Sequence, residues 1–243
     1  MRKAKVKAAI LTFLVVFGLA HGGWEKVEGI PTNKQYRKVQ FIDPQHGWVV
    51  DGTYPLEHSN DSGKTWMRVL VPGYDILDFV FLDRSVGFVV GNRSINHERY
   101  DGTVYKTIDG GANWKLVFTD SSLASIRKIV FPTSSPLVGY FFAEKRGTGT
   151  RTPKIMGRTT DGGESWVLET EEMTGGENIN LITDVAFCNA DTGWVVGTQR
   201  TGANNTFLKT VDGGRSWEPK RYRYINGGYD PDNMSSVFFL LVK

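Results

Sequence analysis

Four octets of one pattern run through the 243-residue chain: SNDSGKTW at 59–66, TIDGGANW at 107–114, TTDGGESW at 159–166 and TVDGGRSW at 210–217. Each reads Ser/Thr, any residue, Asp, Ser/Gly, Gly, any residue, Thr/Ser/Asn, Trp. Their tryptophans, Trp66, Trp114, Trp166 and Trp217, are spaced 48, 52 and 51 residues apart. Self-similarity at about 50 residues requires a repeated supersecondary unit that buries its faces against its own copies.

A second element keeps step with the first. FIDPQHGWVVDG (41–52), FLDRSVGFVVGN (81–92), FPTSSPLVGYFFAE (131–144) and FCNADTGWVVGT (187–198) each lie upstream of an octet. Each has a Phe, a polar turn, a Gly and a run of large residues. With side chains alternating across a strand, Trp48/Val50, Phe88/Val90, Tyr140/Phe142 and Trp194/Val196 share one face. A further alternating pair precedes each turn: Val39/Phe41, Phe79/Phe81, Ile129/Phe131 and Val185/Phe187.

Each unit therefore reads as four antiparallel strands, A to D. A ends at the Phe, B is the Gly-Trp type run, C ends at the octet's Ser/Thr, and D begins at its Trp. Short aromatic and β-branched runs broken by Gly, Asn and Asp, with 12% aromatic residues and 28 glycines, give an all-β chain. Four-stranded sheets repeated radially are the blades of a β-propeller. The repeats fall at about 37–71, 75–119, 126–170 and 181–221, within a domain of residues 21–243.

The ends are incomplete repeats. SSVFFLLVK (235–243) matches a strand A, with Val237/Phe239 in the places of Val185/Phe187, and GWEKV (23–27) matches a strand D. The expectation is four complete blades plus partial flanking strands, an incomplete ring with exposed blade faces. Either the chain is a shortened version of a longer ancestor or a partner covers those faces. Bare faces and edges invite self-association.

The octet is expected to be the C–D hairpin turn. Asp109 accepts N–H bonds across the turn, Gly111 supplies a positive φ, Thr107 bonds locally and Trp114 wedges between blades. Ser59, Asp61, Gly63 and Trp66 take the same parts, as do Thr159, Asp161, Gly163 and Trp166, and Thr210, Asp212, Gly214 and Trp217.

Residues 1–20 have the layout of an export signal. Arg2, Lys3, Lys5 and Lys7 precede a 13-residue apolar run, and cleavage falls after Ala20. A retained anchor is the alternative, although the run is short for a membrane span of about 20 residues. Without those four cations the formal charge of +3 becomes −1, which removes the case for nucleic-acid binding. Cys188 is the one cysteine, so there is no internal disulfide.

The octets resemble the Asp-box, or bacterial neuraminidase repeat. The fuller unit, Phe-x-Asp-x-x-x-Gly-Trp-x-x-Gly followed by Thr-x-Asp-Gly-Gly-x-x-Trp, is similar to the photosystem II stability/assembly factor family. The likeness runs from about residue 23, in GWEKVEGIPTNKQYRKVQFID, to the end. It implies an exported, non-catalytic propeller that helps a membrane complex assemble. That complex would be photosystem II in a photosynthetic host, with the thylakoid lumen as destination; otherwise the destination is the periplasm or the cell exterior. Family members commonly carry about seven repeats, and this chain has four.

The candidate partner-binding rim is the one bearing B–C and D–A connections, because A–B and C–D turns are short. Segments 92–102, 144–153, 198–205, 119–125, 171–180 and 221–234 supply its length. Lys145, Arg146, Arg151, Arg221, Tyr222, Arg223, Tyr224 and Tyr229 are its Arg, Lys and Tyr anchors.

Enzyme chemistry finds little footing. A sialidase needs an arginine triad and an Arg-Ile-Pro signature, and the stretch EGIP at 28–31 lacks the Arg. Glycosidase carboxylates sit about 5–10 Å apart, whereas the octet acids belong to separate blades. His21, His46, His58 and His97 have no metal-ligand spacing, and YDPDN (229–233) lacks the acid count of a calcium loop. No cofactor, metal or small-molecule substrate is expected. Two alternatives stay open: a secreted or surface module that binds glycan or protein, and a degenerate sialidase-like glycosidase.

Overall fold

The structure, a computed structural model, describes residues 35–51, 55–72, 74–96, 99–147, 152–169, 173, 179–199 and 205–220. The expected export signal at 1–20 and the expected flanking strands at 23–27 and 235–243 lie outside these.

The described chain is all β, sixteen strands in four antiparallel sheets of four, each in simple sequence order. Blade 1 contains β1 (Tyr36–Phe41), β2 (Gly47–Asp51), β3 (Leu56–Ser59) and β4 (Met67–Val69). Blade 2 contains β5 (Tyr74–Phe81), β6 (Gly87–Asn96), β7 (Arg99–Thr107) and β8 (Lys115–Asp120). Blade 3 contains β9 (Leu123–Val130), β10 (Gly139–Lys145), β11 (Lys154–Thr159) and β12 (Val167–Leu168). Blade 4 contains β13 (Ile179–Phe187), β14 (Gly193–Gln199), β15 (Asn205–Thr210) and β16 (Glu218–Pro219). Each third strand ends on the octet's Ser or Thr, and each fourth begins one residue after its Trp.

In blades 1, 2 and 3 the large residues of the second strand are buried on both faces: Trp48, Val49 and Val50, Phe88, Val89 and Val90, and Tyr140, Phe141 and Phe142 are all under 10% exposed. A blade has neighbours on both sides, so apolar runs replace alternation. Segments 92–102 and 144–153 are not plain loops. β6 and β7 extend the hairpin of blade 2 from Asn92↔Gly102 to Asn96↔Arg99, and Glu144 pairs with Lys154 across β10 and β11.

The first strands lie side by side through the series β1, β5, β9, β13, and among the described residues the ring of blades is not closed. Blades 2, 3 and 4 turn the first-strand Phe and octet Trp toward the blade before, and blades 1, 2 and 3 turn the second-strand aromatic toward the blade after. The junction is a ring stack repeated three times: Trp48 on Phe81 (3.7 Å between centroids), Phe88 on Phe131 (4.7 Å) and Tyr140 on Phe187 (4.2 Å). The octet Trp meets the Phe of its own blade edge-on, as in Trp166–Phe131 and Trp217–Phe187.

Candidate functional site: the octet turns, the blade junctions and the loop rim

The octet carboxylates are held within their own turns. The Ser/Thr hydroxyl accepts the N–H of the second Gly position at 2.8–2.9 Å (Gly63, Gly111, Gly163 and Gly214). The same hydroxyl donates to Asp Oδ1 at 2.7–2.8 Å. Oδ1 also accepts the main-chain N–H of Thr65, Asn113, Ser165 or Ser216 at 2.8–3.0 Å. Oδ2 takes the side chain of that same residue at 2.5–2.8 Å. One carboxylate thus closes a whole hairpin, which is why Asp, a hydroxyl and a hydrogen-bonding residue recur at these spacings.

These bonds favour the ionised form. The Thr65 hydroxyl holds Asp61 down at about 2, and the Asn113 amide holds Asp109 at about 2. The Ser165 hydroxyl lowers Asp161 further. Asp212 is opposed by burial, but its bonds to Ser216 and Thr210 still lower it. The folded chain therefore binds fewer protons than the unfolded chain as pH falls below the ordinary aspartate value of 3.8. Octet stability is complete above that value and is lost as pH falls through about 2. Urea midpoints measured by circular dichroism from pH 5 to 2 are expected to fall steadily in this window.

The octets also fasten the first turn of each blade, so A–B and C–D turns share one rim, as expected. The N–H of Ser62, Gly110, Gly162 and Gly213 donates to the carbonyl of Gln45, Ser85, Leu137 and Asp191 at 2.8–3.0 Å. Other bonds on this rim cross between blades. Arg84 reaches Asp43 at 2.8 Å, Ser134 donates to the Cys188 carbonyl at 2.9 Å, and the Tyr140 hydroxyl donates to the Ala190 carbonyl.

A second set of clamps, not apparent in the sequence, joins the inner strands. Lys38 Nζ donates to Asp78 Oδ1 at 2.7 Å and to the Phe79 carbonyl at 2.6 Å. Asp78, nearly fully buried, accepts the Ile129 N–H at 3.0 Å and so ties blades 1, 2 and 3 together. The Gln40 amide both accepts from the Phe81 N–H (2.9 Å) and donates to its carbonyl (2.8 Å). The innermost strand of a blade has a free edge, and these side chains satisfy it from the neighbouring blade.

On the loop rim, two of the eight proposed anchors are described. Arg146 is committed to the scaffold: its N–H bonds the Ser122 carbonyl at 2.7 Å, and its guanidinium bonds the Ser121 carbonyl at 2.9 Å and lies 3.6 Å from Asp101. Lys145 is half-buried, with its N–H on the Pro153 carbonyl at 2.8 Å. Arg151, Arg221, Tyr222, Arg223, Tyr224 and Tyr229 lie outside the described residues. Sequence reading also placed Glu144 in a loop. It is a strand residue that receives Arg127 at 2.9 Å and the buried Lys154 at 3.2 Å. Burial pushes the Glu144 carboxyl up, but Arg127 and Lys154 outweigh it and hold it low.

Octets that pin the turns of stacked four-stranded sheets, set along an open series of inner strands, define a β-propeller. No known family model matches the chain. Its sequence resembles the photosystem II stability/assembly factors. It is 24% identical over 156 residues to a protein of Synechococcus sp. (strain CC9902) named Photosystem II assembly lipoprotein Ycf48, covering 63% of this chain and 41% of that one. It is 24% identical over 98 residues to Photosystem II stability/assembly factor HCF136, chloroplastic, of Oryza sativa subsp. japonica, covering 40% of this chain and 22% of that one. The match thus spans less than half the length of either relative. Among solved structures, a GH74 enzyme of Niastella koreensis superimposes with a TM-score of 0.54 at 18% identity, covering 73% of this chain and 28% of that one. At that identity the likeness shows the fold alone.

Proposed function

We propose that this chain is an exported, non-catalytic propeller that binds protein and assists the assembly or stability of a membrane or periplasmic complex. Photosystem II is that complex if the host is photosynthetic. The reading rests on the relatives, which are named as assembly and stability factors. The observation that carries it is the saturation of all four octet carboxylates by donors of their own turns. The most repeated acids of the chain are scaffold, which leaves the outer surface for recognition. Residues 1–20 direct export in this reading, and the loop rim at Lys145, Arg151, Arg221, Tyr222, Arg223, Tyr224 and Tyr229 contacts the partner.

Cross-linking and pulldown from host membranes test it. The wild-type chain is expected to retain a defined membrane-complex subunit. Charge reversal at Lys145, Arg151, Arg221 and Arg223 together is expected to weaken retention about tenfold or more, as loss of interface anchors does. Retention that is absent, or indifferent to the four reversals, refutes the rim. Saturable binding on a glycan array, or hydrolysis of a fluorogenic sialoside, would replace the reading with one of its alternatives.

A further inference from the structure

The residue that faces each second-strand aromatic from the third strand differs in blade 1. In blades 2, 3 and 4 it is a cation: Lys106 over Phe88 (5.5 Å to the ring centroid), Arg158 over Tyr140 (5.9 Å) and Lys209 over Trp194 (5.2 Å). Lys106 goes further and crosses the junction, donating to the Gly162 carbonyl at 2.8 Å and to Glu164 at 2.6 Å in blade 3. Blade 1 has His58 at this register, opposite Trp48. Its ring stacks on Trp48 at 4.6 Å and 20°. Its Nε2 is buried and bonds no group among the described residues.

His58 is the second ring of a column of four. His46 lies over it at 6.1 Å and 23°, and beyond Trp48 comes Phe81 of blade 2 at 3.7 Å and 12°. His46 Nδ1 sits 2.9 and 3.0 Å from the two oxygens of Asp43, and Arg84 of blade 2 holds Asp43 at 2.8 Å. The column therefore begins at the turn rim and ends in the hydrophobic core of the junction. Among the described residues, His46 is the titratable group that acts on His58 electrostatically. Trp48 on β2 and Met67 on β4, its cross-strand partners, carry no charge.

We propose that the junction between blades 1 and 2 is an acid-sensitive joint: protonation of His58 places a cation on a buried nitrogen without an acceptor, beside a second histidine, and loosens blade 1 from blade 2. Blades 2 and 3 carry permanent cations at the same register, so the junctions they form with the following blade lack this response. Burial and then His46 hold the His58 imidazole below its ordinary 6.5 in the folded chain. The unfolded chain thus binds more protons in this range. Stability from His58 is complete above 6.5 and is lost as pH falls below it toward the folded value.

The test uses the full chain. The His58 Cε1 proton is expected to titrate with a midpoint below 6.5 by NMR, and a midpoint at or above 6.5 overturns the proposal. Amide exchange, corrected for the intrinsic effect of pH, is expected to lose about tenfold more protection over residues 36–69 than over 123–168 between about pH 7.5 and 5.5. Equal losses in the two segments overturn it. His58→Lys installs the cation of the later blades, with the Gly110 carbonyl as its acceptor in the place of Gly162, and is expected to abolish the difference. A difference that persists in His58→Lys overturns the proposal. His46→Phe keeps a ring at the head of the column and removes the histidine that acts on His58, so the His58 midpoint is expected to rise; a midpoint that does not move overturns the two-histidine joint.

Discussion

Phe81→Ala is expected to destabilise the protein by about 3–5 kcal/mol, the usual cost of removing a packed core phenyl ring. Phe81 is 2% exposed. It stacks on Trp48 of blade 1, meets Trp114 of its own octet edge-on at 6.3 Å and covers Gly87, where an added Cβ would lie 2.4 Å from the ring. Its loss opens the junction rather than a surface pocket, because Trp48 is fully buried against it. The same repeat position in blade 1 supplies a control within the molecule. Phe41 also covers its glycine, Gly47, and meets Trp66 at 6.0 Å, but it is 43% exposed. Phe41→Ala is therefore expected to cost about 1 kcal/mol, in line with the smaller area it hides from water. Urea unfolding followed by tryptophan fluorescence reads both. Equal losses at the two positions would mean that the stacked rings between blades contribute no more than local packing within one blade.

The contrast between these phenylalanines marks how far the sequence could be read. The octets were legible because their chemistry is local: Asp61, Asp109, Asp161 and Asp212 bond within four residues of themselves. For that reason the ends of the third strands at Ser59, Thr107, Thr159 and Thr210 agree with expectation. The Phe and Gly that bracket each first turn were visible as a pattern, but their reason was not. They pair across the first two strands, as in Phe81↔Gly87, so that the ring can lie over a residue without a side chain. Residues 92–102 gave no strand signal, because Asn92, Arg93, Asp101 and Gly102 do not alternate. Their pairing follows from continuing the hairpin of β6 and β7 outward. The inner clamps were invisible for a different reason. Lys38 and Asp78 are 40 residues apart, and Asp78 and Ile129 are 51 apart, so only the stacking of successive repeats reveals them. On the loop rim, Arg146 was read as an anchor for a partner; its bonds to the Ser121 and Ser122 carbonyls were not legible, because they depend on where β9 begins.

Gly163→Ala is expected to destabilise the protein by about 2–4 kcal/mol, because two separate penalties coincide there. Its φ is +79°, a conformation that costs an L-residue about 1–2 kcal/mol. In addition, a Cβ at this position would lie 2.4 Å from the Phe88 ring of blade 2. That ring cannot yield easily, since it is stacked on Phe131 and fully buried. Gly63 isolates the first penalty from the second. It has nearly the same φ, +80°, but its nearest neighbours are Phe41 at 3.4 Å and Trp66 at 3.5 Å, both in its own blade and at ordinary contact distance. Gly63→Ala is thus expected to cost only the backbone share, about 1–2 kcal/mol. The difference between the two, read from urea midpoints at constant slope, measures how tightly an octet turn is pressed against the preceding blade. If Gly63→Ala proves as costly as Gly163→Ala, the turn geometry alone fixes this glycine and the blades need not be in contact there. If Gly163→Ala is the worse by 1 kcal/mol or more, as expected, the second octet glycine is a spacing device, and its small size lets one blade seat against the next.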